Sequence, residues 1–371
     1  MDQAKEENKY WVGFNLVKGI GAVRFQALLD HFGSLERAWQ SPDDGLLEAG
    51  LSPRLVERIR QIRTDVDLDQ YVDQLEAKGI TIVTWSDGDY PARLKTIDQP
   101  PPVLYVRGGL RQQDDCAVAV VGTRRVSAYG RQVTEEIASY LAANGVTIIS
   151  GLARGVDAIA HEEALKAGGR TIAVLGSGVD RIYPPEHGRL AEKMCTNGAL
   201  ISDYAPGTPP DAANFPPRNR IISGMAMAVV VVEAGETSGA LISAQFAVDQ
   251  GREVFAVPGN IYAPQSRGTN RLIVSGARPF LSAQDMLDLL DLARVSEQRT
   301  ARQVLPANAV EAKILEILSS EPIHLDEIRG LSGLPIERVS ATLVMMELKG
   351  LVRQVGGMKY IAVREEQAAY E

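Results

Sequence analysis

The sequence predicts an α/β protein: an extended Rossmann-like parallel sheet, preceded by a helical domain and followed by a winged helix. Three observations carry this expectation. β-branched runs alternate with helical patterns through the middle of the chain. Most of these runs end in a polar turn rich in glycine, where open α/β sheets place their ligands. The last stretch reads helix, helix, turn, helix, hairpin, which is a winged-helix order.

The expected domains are residues 1–75 (helical, similar to a SAM or helix-hairpin-helix module), 76–292 (Rossmann-like), 293–307 (a polar linker) and 308–371 (winged helix). In the first, Phe25, Leu28, Leu29 and Phe32 recur at helical spacing. Gly33-Ser34 then ends one helix and can start the next. Leu55, Ile59 and Ile62 mark another amphipathic set. In the second, Ile80–Trp85 and Val103–Val106 read as strands bracketing Pro100-Pro101-Pro102. Buried strands are expected at Ala117–Val121, Val146–Ile149, Thr171–Leu175, Ala228–Val232 and Glu253–Val257. Apolar runs without polar alternation belong to strands covered on both faces, hence a parallel sheet between helices. In the last, Val310–Leu318, Leu325–Leu331 and Ile336–Lys349 read as helices and Val352–Ile361 as a hairpin turning at Gly356-Gly357.

The 371 residues are 45% hydrophobic, enough for a sizeable core. The two cysteines, Cys116 and Cys195, lie far apart without metal-ligand spacing, which fits a reducing compartment and gives no metal site. The polar start, Met1–Lys9, is no signal peptide, and the longest apolar run, Met225–Val232, is too short to span a bilayer. A cytoplasmic protein without membrane attachment is expected. Its net charge of −8 requires any nucleic-acid site to be a local basic pocket on an acidic body.

The strand-end turns supply candidates for such a pocket. Gly122-Thr123-Arg124-Arg125 combines a glycine, a hydroxyl and two fork-shaped cations just before a helix, which favours an anion. It is neither a Walker A loop nor G-x-G-x-x-G. Gly151 and Arg154 recur in the second turn, where Asp157 either caps the next helix or holds an arginine, and His161 stands one turn further on. Gly176-Ser177-Gly178-Val179-Asp180 and a stiff Tyr183-Pro184-Pro185 segment close one side of the same crevice, as a rigid rim or as a contact. Phe215, Arg218, Asn219 and Arg220 join charge to a stacking face, the pairing that single-stranded nucleic acid uses. Ser238, Gly239 and Asn270 add backbone and side-chain donors. Between Leu110 and Leu290 there are 16 basic residues, all arginine except Lys166 and Lys193. Arginine is the residue suited to bidentate phosphate contact and stacking.

The ordered series Val121-Gly122-Thr123-Arg124, Ser150–Asp157, Gly176–Asp180, Phe215–Gly224, Glu233-Ala234 with Ser238–Ile242, and Val257-Pro258-Gly259 resembles the DNA-processing protein A (DprA/Smf) family across the whole central block. The resemblance implies single-stranded-DNA binding, a homodimer, protection of incoming DNA and loading of the RecA recombinase in natural transformation, without catalysis and without a cofactor. Carried onto this sequence, it makes Gly122, Thr123 and Arg124 the phosphate pocket, supported by Arg154, Phe215, Arg218, Asn219 and Arg220. Threonine at 123 replaces the family's usual serine or alanine. Gly19-Ile20-Gly21 looks like a hairpin able to face DNA phosphate, but the block has more acids than bases, so a protein contact or simple packing is expected there rather than DNA contact. The Ile336–Lys349 helix carries few donors for base reading, so a protein contact or a modest backbone contact is expected there.

Two other functions fit the same pocket. A nucleotide N-glycoside hydrolase would use Glu233 or Glu236 to stabilise a cationic sugar. A nucleotide sensor would bind without reaction.

Overall fold

The computed structural model describes residues 2–289, 309–318, 323–348, 352–355 and 357–362. The expected linker 293–307 and the turn residue Gly356 lie outside the described residues. The chain divides into two compact units, Met1–Leu290 and Asp291–Glu371.

The first unit opens with helices Asp2–Leu16, Ala22–Phe32, Leu35–Gln40, Asp43–Glu48, Pro53–Asp65 and Leu68–Ala77. Phe25 and Leu28 are fully buried, as their spacing requires. Gly33 ends its helix at φ +77°, a conformation that favours glycine, and Ser34 caps the next helix by accepting from the Arg37 amide at 3.3 Å. These helices pack on the first two strands, where Trp11, Phe14 and Phe25 share one core with Ile80, Val103 and Tyr105. The boundary expected between 75 and 76 therefore separates no two packing units.

The strands are β1 (Ile80–Thr84), β2 (Val103–Gly108), β3 (Ala117–Val121), β4 (Thr147–Ser150), β5 (Thr171–Val174), β6 (Gly198–Ser202), β7 (Ala228–Val231), β8 (Glu253–Ala256) and β9 (Arg278–Pro279). They form one nine-stranded sheet in the order β1-β2-β6-β5-β4-β3-β7-β8-β9. From β6 to β9 every pairing is parallel, whereas β1–β2 and β2–β6 are antiparallel. The parallel core thus carries an antiparallel margin, and β6 is a strand that the sequence reading did not single out. Every residue of β3 is buried, because helices cover both faces. Helices Ala128–Ala143 and Val156–Lys166 pack together, as do Phe215–Met225 and Ala240–Asp249. The last two share the core of the sheet through Ile221, Ile222, Ala240 and Ala244. The chain leaves β3 toward β4 on one side and returns through β7 on the other, so the order reverses between β3 and β7.

In the second unit, helices Ala309–Ile317, Leu325–Ser332 and Ile336–Leu348 accompany a three-stranded sheet of β10 (Ile323–His324), β11 (Val352–Gln354) and β12 (Lys359–Ala362), ordered β10-β12-β11. Ile314, Ile328, Val339, Leu343, Met346 and Tyr360 form its core. Gly333, at φ +65°, closes the middle helix by donating its amide to the Arg329 carbonyl. This is the winged-helix order.

Candidate functional site

At the carboxyl ends of the parallel strands, beside the β3/β7 reversal, lies a cleft of about 720 Å³. This is where an open α/β sheet leaves its loops free to converge. The turn after β3 supplies Gly122, Thr123, Arg124 and Arg125. The Thr123 amide donates to the Glu233 carbonyl at 2.7 Å, and its hydroxyl accepts from the Arg125 amide at 3.2 Å. Glycine is required at 122: a β-carbon there would sit 2.6 Å from Val156 Cγ2. The two arginine side chains are exposed, and neither has an ion-pair partner among the described residues.

Helix Phe215–Met225 forms the facing wall. Phe215, Arg218, Asn219 and Ile222 line the cleft, three and four residues apart, on one helical face. The Phe215 ring lies 5.8 Å from Tyr183, with the guanidinium carbons of Arg124 and Arg218 at 5.9 and 5.8 Å from its centre. A ring with two guanidiniums within about 6 Å of its centre presents an apolar surface bordered by positive charge. Asn219 donates to the Gly239 carbonyl at 3.3 Å, tying this helix to the Thr237-Ser238-Gly239 turn on the far side of the cleft.

Arg218 lines the cleft but is no free donor. It is 5% exposed, donates through Nη1 to the Gly151 carbonyl at 2.9 Å, and also bonds the Val174 carbonyl. It faces Asp157, whose Oδ2 accepts from the amides of Gly151 and Ala153 at 3.1 and 3.2 Å. Burial lowers the arginine to about 10 and raises the carboxyl, and the opposite charge of each partner restrains the other's shift. Of the two roles foreseen for Asp157, the structure shows the second: it caps no helix, since Gly155 stands at the N-cap without a side-chain bond, and its carboxylate instead fastens the preceding loop and faces the Arg218 charge. Gly151 accommodates this tie, since a β-carbon there would lie 2.6 Å from Arg218 Nη1.

Arg154 shares a smaller recess with Arg124, Gly151, Tyr183, Phe215 and Arg218, and it pairs with Glu186 at 2.5 Å. That pairing, with Glu186 holding the guanidinium above its ordinary value, leaves Arg154 partly committed.

Two expected site residues stand elsewhere. Arg220 is absent from the cleft lining; it donates to the Gln99 carbonyl and to Asp203, each at 2.8 Å. Two residues beyond Arg218, it projects from another face of the helix and fastens that helix to the loop before β2. Asn270 closes on Gly259, accepting from its amide at 3.1 Å and donating to its carbonyl at 3.0 Å. It shapes the loop after β8. His161 does not reach Asp157: its Nδ1 meets Thr171 Oγ1 at 2.6 Å in the core, and burial lowers it to about 3.

The sequence reading passed over Pro210, Ala212 and Ile242 as lining residues and left Tyr183 between rim and contact. The first two lie on the loop after β6, so recognising that strand would have found them. Glu233 is 2% exposed and receives the Ser127 amide and hydroxyl on its two oxygens, at 2.9 and 2.5 Å. It anchors the start of the Ala128–Ala143 helix and does not line the cleft; neither does Glu236. Among the described residues no cluster of metal-ligating side chains occurs, and no helix is long and apolar enough to cross a membrane.

Fold and cleft together define a doubly wound α/β protein with an arginine-bordered aromatic cleft at its topological switch point, joined to a winged helix. Comparison with known proteins gives the family. The chain belongs to the DNA recombination-mediator protein A family, whose model matches residues 81–291; residues 298–358 match the DprA winged helix domain. It is 36% identical to Protein Smf of Synechocystis over 96% of this chain and 99% of that one. The crystal structure of DNA processing protein A from Streptococcus pneumoniae is 34% identical and superposes with a TM-score of 0.66, covering 76% of this chain and 97% of that one. DNA processing protein A from Helicobacter pylori, a structure described for its single-stranded DNA binding mode, is 31% identical with a TM-score of 0.51, covering 57% and 95%.

Proposed function

We propose that this cleft binds single-stranded DNA, and that the protein, as a cytoplasmic homodimer, protects incoming strands and helps load the RecA recombinase onto them. The observation that carries the binding reading is the exposed Arg124 guanidinium, without an ion-pair partner among the described residues, beside the Phe215–Tyr183 pair. A strand offers a phosphate and a π-face at every step, and this wall offers a partner for each. The single-stranded DNA binding mode described for the Helicobacter pylori relative supports the reading. Gly122, Thr123, Arg124 and Arg125 would hold phosphate, with Ser238 and Gly239 opposite. Phe215 would stack on a base, Asn219 and Arg218 would set that wall, and Arg154 would join by exchanging Glu186 for phosphate. The hydrolase reading loses its motive, because Glu233 is committed to Ser127 and Glu236 stands outside the cleft.

Fluorescence anisotropy with labelled oligo-dT and a matched duplex, at two salt concentrations, tests the proposal. The single strand should bind more tightly, with log affinity falling by about 0.7 per phosphate contact per decade of salt. Equal affinity for both, or no salt dependence, overturns it.

A further inference from the structure

The N-terminal helices carry a second concentration of positive charge, away from the cleft. Lys18, Arg24, Arg54 and Arg58 are all exposed, and none has an ion-pair partner among the described residues. Two of them converge on one turn: Arg58 Nη1 donates to the Lys18 carbonyl at 2.7 Å and Arg24 Nη1 to the Gly19 carbonyl at 2.6 Å. Each guanidinium spends one of its five N–H donors on that tie and holds the others outward. Arg54 lies one turn before Arg58 on the helix Pro53–Asp65, so both share a face. By contrast Arg60, on the same helix, is matched by Asp43 and Glu57, and Lys9 by Asp69.

Four exposed cations without ion-pair partners among the described residues, two of them pinned to adjacent carbonyls, make a local basic patch on a body of net charge −8, and such a patch focuses attraction on an anionic partner. From this we infer that the Lys18–Arg58 patch is a second contact for the phosphodiester backbone of nucleic acid. It extends the grip of the proposed DNA cleft, and so rests on that reading for its strand. The patch has no aromatic pair of its own, so it reads charge and not bases.

The test uses the full chain with Lys18→Ala/Arg54→Ala, because neither side chain makes a hydrogen bond among the described residues that folding would miss. Affinities for an eight-residue dT strand, a forty-residue dT strand and a duplex with a dT tail are measured by anisotropy across salt. The short strand, held by the cleft alone, should bind as to wild type. The long strand should bind with a salt slope shallower by about 1.4 and, at 0.1 M salt, about 25-fold more weakly, from two contacts at 0.7 each. If only the tailed duplex weakens, the phosphates belong to a duplex arm and the patch assignment stands. Wild-type binding of all three, or equal weakening of the short strand, overturns it. Arg124→Ala, which should weaken the short strand itself, reports independently on the cleft.

Discussion

Arg218→Met tests how the cleft wall is held. The substitution keeps much of the side-chain volume and removes the donors that reach the carbonyls of Gly151 and Val174. It also leaves the buried Asp157 without its cation. Leaving a buried carboxylate without a compensating charge, and two buried carbonyls without their donor, costs about 3–5 kcal/mol. At about 2–4 °C per kcal/mol for a large domain, the melting temperature should fall by roughly 6–20 °C. The loss should depend on pH. Burial already holds Asp157 above the ordinary 3.8, so the fold binds more protons than the unfolded chain between those values, and this contribution to stability declines as pH rises through the window. Arg218 is the largest influence opposing that rise, so its removal extends the window upward. The deficit should therefore be smaller at pH 5 than at pH 8. Thermal unfolding followed by circular dichroism at both values measures it. An unchanged melting temperature, or a deficit that shrinks as pH rises, refutes the assignment of Arg218 as the tie between the ends of β4 and β5.

Three substitutions separate binding from support. Arg124→Ala should leave the melting temperature unchanged and weaken oligo-dT about 5-fold at 0.1 M salt, with the salt slope shallower by about 0.7, as read by anisotropy. Phe215→Ala should cost about 1–3 kcal/mol of binding if a base stacks there, measured by titration calorimetry, with similar losses for different base compositions. Asn270→Ala removes two hydrogen bonds to Gly259 and should lower stability by about 1–3 kcal/mol in urea titration while oligo-dT affinity stays within twofold.

The fold was legible wherever a run was both apolar and continuous. β3, β4, β5, β7 and β8 announce themselves because burial on both faces leaves runs of apolar residues with polar ones only at their ends, so no polar alternation confuses the pattern. Gly198–Ser202 escaped notice because it opens on glycine and offers only three apolar residues, although its place between β2 and β5 buries all five. The junction between the N-terminal helices and the sheet was hidden for another reason. Composition changes near residue 76, but Trp11 and Phe14 bury themselves against Val103 and Tyr105, a long-range pairing that no local window shows.

For the site, residue type was easier to read than direction. The glycine-rich turns meet as expected because each follows a parallel strand. Arg218 and Arg220 look equivalent in the sequence and are not. Phe215, Arg218, Asn219 and Ile222 keep helical phase toward the cleft, while Arg220 falls out of it. Reading Phe215–Met225 as a helix would have separated them. Asn270 was misplaced because its partner, Gly259, lies across a loop whose path depends on the packing around Ser266, where a β-carbon on Gly259 would approach Oγ to 2.2 Å.

The most direct measurement is photocrosslinking of an oligo-dT strand carrying 5-iodouracil, with the adducts located by mass spectrometry. Adducts on Phe215 or Tyr183, reduced with Arg124→Ala at subsaturating protein, are the expected result. Crosslinks that avoid both rings and are unaffected by that substitution would contradict the placement of the strand in the cleft.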